Sequence, residues 1–485
     1  MCAICDQRQA VSAAAPFLAA ATRTRARSAP LPEGIGEIGR RTLIKGGSVL
    51  SMDPAVGDFD DADILIEGGR IVHIGRGIEA DDAAVVDARG MIVMPGFVDT
   101  HHHQFETALR GFLVDGLLTN DGTPQGAVNY YDYILQKFAM IYRPEDVYIS
   151  ELFGALSQLD AGVTTVMDVS QIHHSPAHSD AVVSALADSG RRSVFGYFEG
   201  WGEGARYPGD ARRLKSQYFS SDDQLLTMVM GGEIYLPSYE DAWRLGRELG
   251  VPIALHVVGT FGMASTFDQL ARDGWFGPDN IFIHMTGMSD MAWRAVADAG
   301  SRISLAVPIE MAMRHGAPPI QKALSYGVQP SLSSDVECTL TADFFTQMRA
   351  AITLQRFLAN EAAISGETNP PPLLTARDAL RFATLEGAKC LHLDNRIGSL
   401  TPGKAADLIM LDATALNVAP LNHVPGAVVG LMERSNVDSV MVAGRVRKWR
   451  GELLDVDVDR LRSEIESSRD YLFEAAGVPQ DLFRQ

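Results

Sequence analysis

The chain has 485 residues, of which 46% are hydrophobic and 21% are charged, a balance typical of ordinary enzymes with a large buried core. Its formal net charge of -19 argues against a nucleic-acid partner, because nucleic-acid binders need a basic surface that releases counterions. Four cysteines are too few for a disulfide scaffold and favour a cytoplasmic location, and the sequence has no apolar run long enough to suggest contact with a membrane.

The first segment of the chain is rich in Ala, Arg, Pro and Gly. Residues 1–39 show no sustained periodicity and are predicted to form a flexible arm. Cys2 and Cys5 form a CxxC pair there, but without a second pair nearby this is weak evidence for a metal or redox site.

Short alternating apolar runs, broken by Gly-Gly and Gly-Arg turns, occupy residues 40–94 and return at residues 396–453. This pattern predicts strands. We expect the two segments to pair into one small β-sandwich domain that flanks the centre of the chain. Residues 454–485 have apolar residues at helical spacing and predict a C-terminal helix.

Residues 95–395 alternate short apolar runs with longer amphipathic stretches, the rhythm of a parallel sheet surrounded by helices. Eight such units predict an α/β fold, a (β/α)₈ TIM barrel. Nearly all the predicted strands end on polar residues, as expected where a barrel places its active site. The predicted strand ends are His103, Asp168, Glu199, Glu233, His256, His284, Pro308 and Asp335.

The run of three histidines after the first barrel strand is the strongest chemical signal. Residues i and i+2 of a strand point the same way, so His101 and His103 can bind one ion while His102 faces elsewhere. A histidine pair alone is weak evidence for a metal site. It gains support because His256 and Asp335 also end hydrophobic strands, where an unpartnered polar group would be costly.

The motifs PGFVDTHHHQFETALRG (95–111), GVTTVMD (162–168) and GSLTPGKAADLIMLD (398–412) resemble the amidohydrolase superfamily, specifically its cytosine-deaminase and triazine-hydrolase-like branch. The similarity covers about residues 41–453. It implies one divalent ion, Zn²⁺ by preference and Fe²⁺ as an alternative, since no lysine ends a barrel strand to bridge a second metal. It implies the ligands His101, His103, His256 and Asp335.

The same resemblance assigns roles in catalysis. His284 would polarise the substrate or orient the attacking water, and Asp335 would shuttle the proton of a metal-activated hydroxide. The sequence departs from the branch at one point, because its deaminases carry HxxE where this chain reads His256-Val257-Val258-Gly259. Gly259 cannot move a proton. Glu233 could replace the missing acid, or it could be a surface glutamate beside a Gly-Gly turn.

Two loops are candidates for binding the substrate. After the seventh strand, Glu310, Arg314 and His315 introduce charge, and Arg314 or His315 could hold a carboxylate or carbonyl group, although a solvated loop explains them equally well. After the third strand, Glu199 and Trp201 could line an aromatic pocket or plug the core.

Two further pairs have ordinary explanations. Glu106 and Arg110 lie four residues apart in a region that, by the same resemblance, shapes the substrate side, and a surface ion pair explains them equally well. His173 and His174 lack a carboxylate partner in sequence, which favours a supporting pair over a second metal site.

These features predict a metal-dependent hydrolase that cleaves a C–N bond of a small organic substrate, whether an amide, a cyclic amide or an amidine that loses ammonia. The same site could instead act on another bond, as a dehalogenase, a lactone-opening enzyme or a cyclising enzyme. An alternative of another class is a catalytically silent barrel that serves as a binding module. We expect a homodimer or a higher homo-oligomer.

Overall fold

The computed structural model describes residues 30–37, 39–221 and 223–483. A compact unit spans Pro32–Gln485. Most of the predicted arm, including Cys2 and Cys5, lies outside the described residues.

The strands of the described chain are β1 (Thr42–Val49), β2 (Phe59–Glu67), β3 (Arg70–Gly75), β4 (Ala84–Asp87), β5 (Met91–Pro95), β6 (Phe97–His102), β7 (Val163–Ser170), β8 (Arg192–Tyr197), β9 (Leu226–Gly231), β10 (Ile253–Val258), β11 (Asn280–Thr286), β12 (Arg302–Leu305), β13 (Ser331–Leu332), β14 (Leu408–Asp412), β15 (Val437–Val442), β16 (Arg445–Trp449) and β17 (Glu452–Leu453).

The α-helices of the same residues are α1 (Pro144–Asp160), α2 (Pro176–Asp188), α3 (Ala211–Tyr218), α4 (Tyr239–Leu249), α5 (Ala264–Arg272), α6 (Asp290–Ala299), α7 (Val307–Ala312), α8 (Ile320–Ser325), α9 (Phe344–Ile364), α10 (Ala376–Ala383), α11 (Leu385–Cys390), α12 (Val424–Gly430) and α13 (Val458–Ala476). A 3₁₀-helix at Gln104–Leu109 and a π-helix at Tyr130–Phe138 lie between β6 and α1.

Strands β6 to β13 pair in chain order, all parallel, and form the barrel. The backbone N–H of Asp335 donates to the His101 carbonyl (3.0 Å) and that of His103 donates to the Asp335 carbonyl (2.8 Å), so these two bonds close the ring between its first and last strands. Each strand ends within three residues of its predicted end. The predicted barrel is confirmed.

The barrel strands form because they are apolar and rich in β-branched residues. Every residue of β7, VTTVMDVS, is buried, as expected for a parallel strand covered on both faces. Helix α4, by contrast, buries one face only, and Gly250 ends it with φ 65°, a left-handed conformation that favours glycine.

The second domain is a sheet built from both ends of the described chain. Its nine strands run in the order β17-β16-β15-β14-β5-β1-β2-β3, with β4 beside β1. Strand β14 pairs antiparallel with β5, and this pairing joins the C-terminal half of the sheet to the N-terminal half. Both terminal segments therefore contribute to one flanking β domain, as predicted.

A buried ion pair connects the two domains. The Arg192 guanidinium, on barrel strand β8, donates to the Asp407 carboxylate at 2.8 Å, and each side chain is only 2% exposed. Asp407 also accepts from the Ala443 N–H at 2.7 Å, so its charge is fully hydrogen-bonded.

Among the described residues, none of the helices combines the length and the apolar character that crossing a membrane requires.

Candidate active site

Three imidazoles converge at the carboxyl ends of β6 and β10. The Nε2 atoms of His101 and His103 lie 2.9 Å apart, and Nε2 of His256 lies 3.1 Å and 3.3 Å from them. His102 points elsewhere, with Nδ1 2.9 Å from the Asp335 carbonyl oxygen. This is the alternation expected of a strand.

The hydrogen-bond partners of the rings define which nitrogens carry lone pairs. His103 donates from Nδ1 to the Val169 carbonyl at 2.9 Å, and His256 donates from Nδ1 to the Glu233 carboxylate at 2.5 Å. His103 is neutral and its Nδ1 proton is used in this way, so its Nε2 presents a lone pair to the other two rings. Burial holds the pKa values of His101 and His103 well below the usual range, so both rings are neutral.

A carboxyl group completes the cluster. Asp335 Oδ1 lies 3.8 Å from His101 Nε2 and 3.6 Å from His103 Nε2, while Oδ2 lies 3.6 Å from His284 Nε2. Burial raises the pKa of Asp335 to about 7. The backbone of Asp335 has φ 64° and that of His284 has φ 71°, left-handed values that a non-glycine residue adopts only where the surrounding structure holds it.

The donor set fits a divalent metal ion. Ligands at about 2.0–2.1 Å in tetrahedral geometry lie about 3.4 Å from one another. The separations of 2.9–3.8 Å within the cluster bracket that value. Imidazole nitrogens and a carboxylate are donor types that a divalent ion such as Zn²⁺ or Fe²⁺ binds. The structure thus brings the predicted ligands His101, His103 and His256 together in one group. It places the fourth, Asp335, beside His101, His103 and His284.

Glu233 lies behind the cluster. It is fully buried, and its two oxygens accept from the backbone N–H of His256 at 3.2 Å, while Oε1 also accepts from the His256 ring. It is not among the residues that line the cavity above the cluster. This geometry differs from that expected of a replacement acid, because His256 occupies both carboxylate oxygens.

Gly259 lies where strand β11 bulges. A Cβ atom there would lie 3.0 Å from the Thr286 carbonyl oxygen and 3.1 Å from the Gly287 Cα. Because both contacts are with backbone atoms, a side chain at this position would require the neighbouring backbone to shift by a few tenths of an ångström. The local packing therefore disfavours a side chain where the HxxE pattern has its acid.

A cavity of about 520 Å³ opens above the cluster. His103, His256, His284 and Asp335 form its floor. Its walls are mostly apolar and aromatic, and the larger wall residues are Leu118, Tyr130, Tyr131, Leu135, Trp201, Tyr235, Phe261, Met263 and Met313. Such a cavity, with a few polar groups among apolar ones, suits a small organic molecule.

Known proteins resemble this chain in sequence and in fold along most of its length. The Amidohydrolase family model matches residues 258–447. The chain is 27% identical over 460 residues to 5'-deoxyadenosine deaminase of Methanosarcina acetivorans, which covers 90% of this chain and 99% of that protein. It is also 27% identical over 433 residues to 5-methylthioadenosine/S-adenosylhomocysteine deaminase of Symbiobacterium thermophilum, with 84% and 93% covered.

Solved structures with the same fold include an adenosine deaminase from Xanthomonas campestris with bound zinc, at TM-score 0.79 and 24% identity, covering 90% of this chain and 99% of that chain. Another is the atrazine chlorohydrolase from Arthrobacter aurescens complexed with zinc, at TM-score 0.77 and 21% identity, covering 88% and 100%. The resemblance to the amidohydrolase superfamily is confirmed. The predicted class of protein, an enzyme of the hydrolase type, is confirmed with it.

Three of the five predicted substrate-binding residues lie at the cavity, namely Glu199, Trp201 and His315. His315 is 5% exposed, and neither ring nitrogen has a hydrogen-bond partner among the described residues. Its ring meets the His284 ring edge-on at 4.7 Å, and burial lowers its pKa to about 3.

Two predicted substrate-binding residues do not reach the cavity. Arg314 has φ 60° and a side chain that is 59% exposed, and it forms an ion pair with Asp121. Glu310 lies in the first turn of α7, so its carboxylate turns back to accept from the Ala306 N–H at 2.9 Å and lies 3.1 Å from His284 Nδ1. Glu310 therefore holds the His284 ring.

The surface ion pair suggested for Glu106 and Arg110 is wrong. Glu106 is fully buried and accepts from the Tyr130 hydroxyl at 2.6 Å, while Arg110 pairs with Glu337 at 2.6 Å. Burial raises the pKa of Glu106 to about 8. Sequence reasoning missed Tyr130. It lies between two strands, and no motif around it indicates a contact with Glu106 beside the histidine run.

His173 and His174 hold the scaffold behind the cavity wall. His173 bonds Ser179 and the Gly196 carbonyl, and His174 bonds the Ala139 carbonyl and the Trp201 N–H. Each ring nitrogen is already used, which accords with a supporting pair.

Proposed function

We propose that this amidohydrolase is a metal-dependent enzyme that cleaves a C–N bond of a small nitrogen heterocycle, with release of ammonia. The observation that carries the proposal is the convergence of the Nε2 atoms of His101, His103 and His256, beside Asp335, on the floor of an apolar cavity. The deaminase names of relatives that align along almost their whole length support ammonia as the leaving group.

We further propose zinc as the metal, since the donor set is that of a catalytic zinc site and similar folds were crystallised with zinc. Held by His101, His103, His256 and Asp335, the ion would supply a Lewis acid that makes water nucleophilic near neutral pH.

The residues of the chain supply the rest of the chemistry. Asp335 Oδ2 has no hydrogen-bond partner among the described residues and faces the cavity, so it accepts a proton from the attacking water and returns it to the leaving nitrogen. Glu310 holds the His284 ring, whose Nε2 orients the water. Glu233 positions His256 and does not shuttle protons.

The proposal is tested by measuring ammonia release. Zinc-loaded protein, metal-free protein and protein reloaded with zinc are incubated with adenosine, 5'-deoxyadenosine and 5'-methylthioadenosine. We expect ammonia and the corresponding inosine-type product from the zinc-loaded and reloaded samples only. Equal turnover by the metal-free protein, or no product from any of the three, would contradict the proposal.

The absence of a side chain at position 259 favours a second candidate, in which the same floor displaces a halide and no ring nitrogen need be protonated. A chlorinated triazine added to the same assay tests it. Chloride release without ammonia release would replace the first proposal by this one.

The homodimer or higher homo-oligomer and the cytoplasmic location stay predictions. Light scattering of the purified protein tests the first, and fractionation of cells that express the chain tests the second.

A further inference from the structure

Two aromatic side chains from opposite sides of the barrel meet over the cavity. Tyr131 follows β6 and Phe261 follows β10, the first and the fifth of the eight strands. In a closed ring of eight, strands four places apart lie across the barrel axis from each other. The rings of Tyr131 and Phe261 nevertheless meet edge-on, with their centroids 6.3 Å apart. This bridging pair, Tyr131 and Phe261, divides the mouth of the barrel into two sides.

Hydrogen bonds cover the side of the mouth above β11, β12 and β13. The Leu118 N–H, in the segment after β6, donates to the Met313 carbonyl at 3.2 Å. The Thr260 hydroxyl, after β10, donates to the Arg314 carbonyl at 3.2 Å. Met313 and His315, which line the cavity here, are only 1% and 5% exposed. A ligand group on this side is therefore enclosed by the chain.

The other side of the mouth, above β8 and β9, is open and aromatic. Trp201 follows β8 and Tyr235 follows β9, and both line the cavity. They are 44% and 46% exposed, and the rings of the bridging pair are exposed as well. The Trp201 N–H donates to His174 Nδ1 at 3.0 Å. The Tyr235 hydroxyl donates to Glu199 Oε1 at 2.6 Å, so both segments are held in place around this aromatic opening.

The aromatic opening, formed by Trp201, Tyr235 and the bridging pair, offers no positive charge. Among the described residues that line the cavity, Glu199 and Asp335 are the acids, and neither Lys nor Arg is present. Glu203, on the loop that carries Trp201, is exposed and does not line the cavity. A phosphate or carboxylate at the opening would lose water without gaining a cation. An uncharged aromatic group would gain by packing on the exposed rings.

The cavity has room for more than the reacting part of a substrate. Its volume of about 520 Å³ lies within the range of roughly 300–1,000 Å³ in which pockets enclose ligands of drug size. A ligand whose reacting carbon lies at the histidine cluster must extend towards the aromatic opening, because the other side of the mouth is covered.

We propose that the aromatic opening is a subsite for an uncharged aromatic substituent of the substrate, which packs against Trp201 and the bridging pair. The inference rests on the proposed function for the group that reacts at the floor. It adds the chemical class of the second group, which is aromatic and carries no charge.

Three adenine compounds that differ at the 5' position test the preference. They are 5'-deoxyadenosine, 5'-deoxy-5'-(phenylthio)adenosine, which adds an uncharged ring, and adenosine 5'-phosphate, which adds negative charge. With the zinc-loaded enzyme, kcat/KM for ammonia release should be at least about tenfold higher for the phenylthio compound than for 5'-deoxyadenosine. It should be at least about a hundredfold lower for the phosphate than for 5'-deoxyadenosine.

Substitutions at Trp201 locate this preference. Trp201→Ala should lower the ratio of kcat/KM between the phenylthio compound and 5'-deoxyadenosine about fivefold to tenfold, chiefly through KM, because the packing surface is lost. Trp201→Phe keeps a ring and should retain most of the ratio. Phe357→Ala is the matched control, since Phe357 is an exposed aromatic residue of α9 that does not line the cavity. It should keep the ratio within about twofold.

A fluorescent dye tests the opening without any reaction. N-phenyl-1-naphthylamine is uncharged and aromatic, and it fluoresces more strongly on an apolar surface than in water. Trp201→Ala should weaken binding of the dye to the zinc-loaded protein at least about fivefold, because the dye needs the opening alone. Phe357→Ala should change the binding by less than about twofold.

The outcomes separate the two proposals. Dye binding that depends on Trp201, together with no ammonia release from any of the compounds, would contradict the proposed function and leave the subsite standing. Ammonia release without a preference for the phenylthio compound, or with equal use of the phosphate, would overturn the inference alone. Dye binding that Trp201→Ala leaves unchanged would also overturn it.

Discussion

The floor and the walls of the cavity are built in different ways. The floor residues lie on or directly after strands of the barrel, where alternation and strand order determine which side chains face each other. The walls come from loops and short helices such as the π-helix Tyr130–Phe138, whose partners are far away in the sequence. In this scaffold the regular strands of the barrel therefore position the groups of the histidine cluster. The irregular segments form the surface that contacts the substrate.

Substitution of a proposed metal ligand on the cavity floor should have the largest effect on activity. His101→Ala or Asp335→Asn should lower kcat/KM by at least about a thousandfold, since each weakens both the metal site and the groups around it. Zinc content by mass spectrometry and initial rates check this. His178→Ala is the control, because His178 bonds Ser175 and the Tyr142 carbonyl away from the cluster. Full zinc content with a normal rate in His101→Ala would remove that residue from the site.

A substitution at Glu233 distinguishes a role in positioning His256 from a role in proton transfer. Glu233→Gln should weaken zinc affinity about tenfold to a hundredfold, because the carboxylate fixes the His256 ring and raises its basicity. Competition with a coloured chelator measures the affinity, and Glu203→Gln is the matched control. A large fall in kcat at unchanged zinc affinity would restore the proton-shuttling role suggested by the sequence.

Substitutions in the cavity walls should change activity without loss of the metal. His315→Phe keeps the apolar packing and removes two ring nitrogens that have no protein partner, so we expect about a tenfold lower kcat/KM with full zinc content. Arg314→Met should stay within about twofold of wild type, because Arg314 does not line the cavity. The reverse order of the two effects would show that the loop is arranged differently around a substrate.

The smallest expected effect is on the pH dependence of protein stability, through Glu106 behind the cavity wall. The pKa of Glu106 is raised by burial from 4.5 to about 8, so between these values the folded state holds more protons than the unfolded state. Stability must then fall as pH rises through that window. Glu106→Gln should make the free energy of unfolding depend less steeply on pH. Urea unfolding between pH 5 and 8, within the window, measures this dependence. An identical slope in the variant would assign the dependence to other buried carboxyls.

The sequence predicted the floor well because its signals are local. The spacing of His101 and His103 and the polar ends of β10 and β13 follow from strand geometry alone. The sequence identified Glu233 as a candidate site residue but did not predict its contacts. Only the structure shows that both carboxylate oxygens of Glu233 accept hydrogen bonds from His256. Tyr130 and Tyr235 carried no pattern, because their contacts with Glu106 and Glu199 depend on how loops fold over the barrel mouth.

The two backbone bonds between Asp335 and the histidine strand have a consequence for the order of assembly. They join the first barrel strand to the last, and the same three residues are proposed metal ligands. A chain that is still being synthesised holds two of the ligands early but gains the carboxylate only when more than two thirds of its length exists. An ion held by these residues would therefore tie the first barrel strand to the last. A nascent or truncated chain that ends before Asp335 lacks the carboxylate that this link requires.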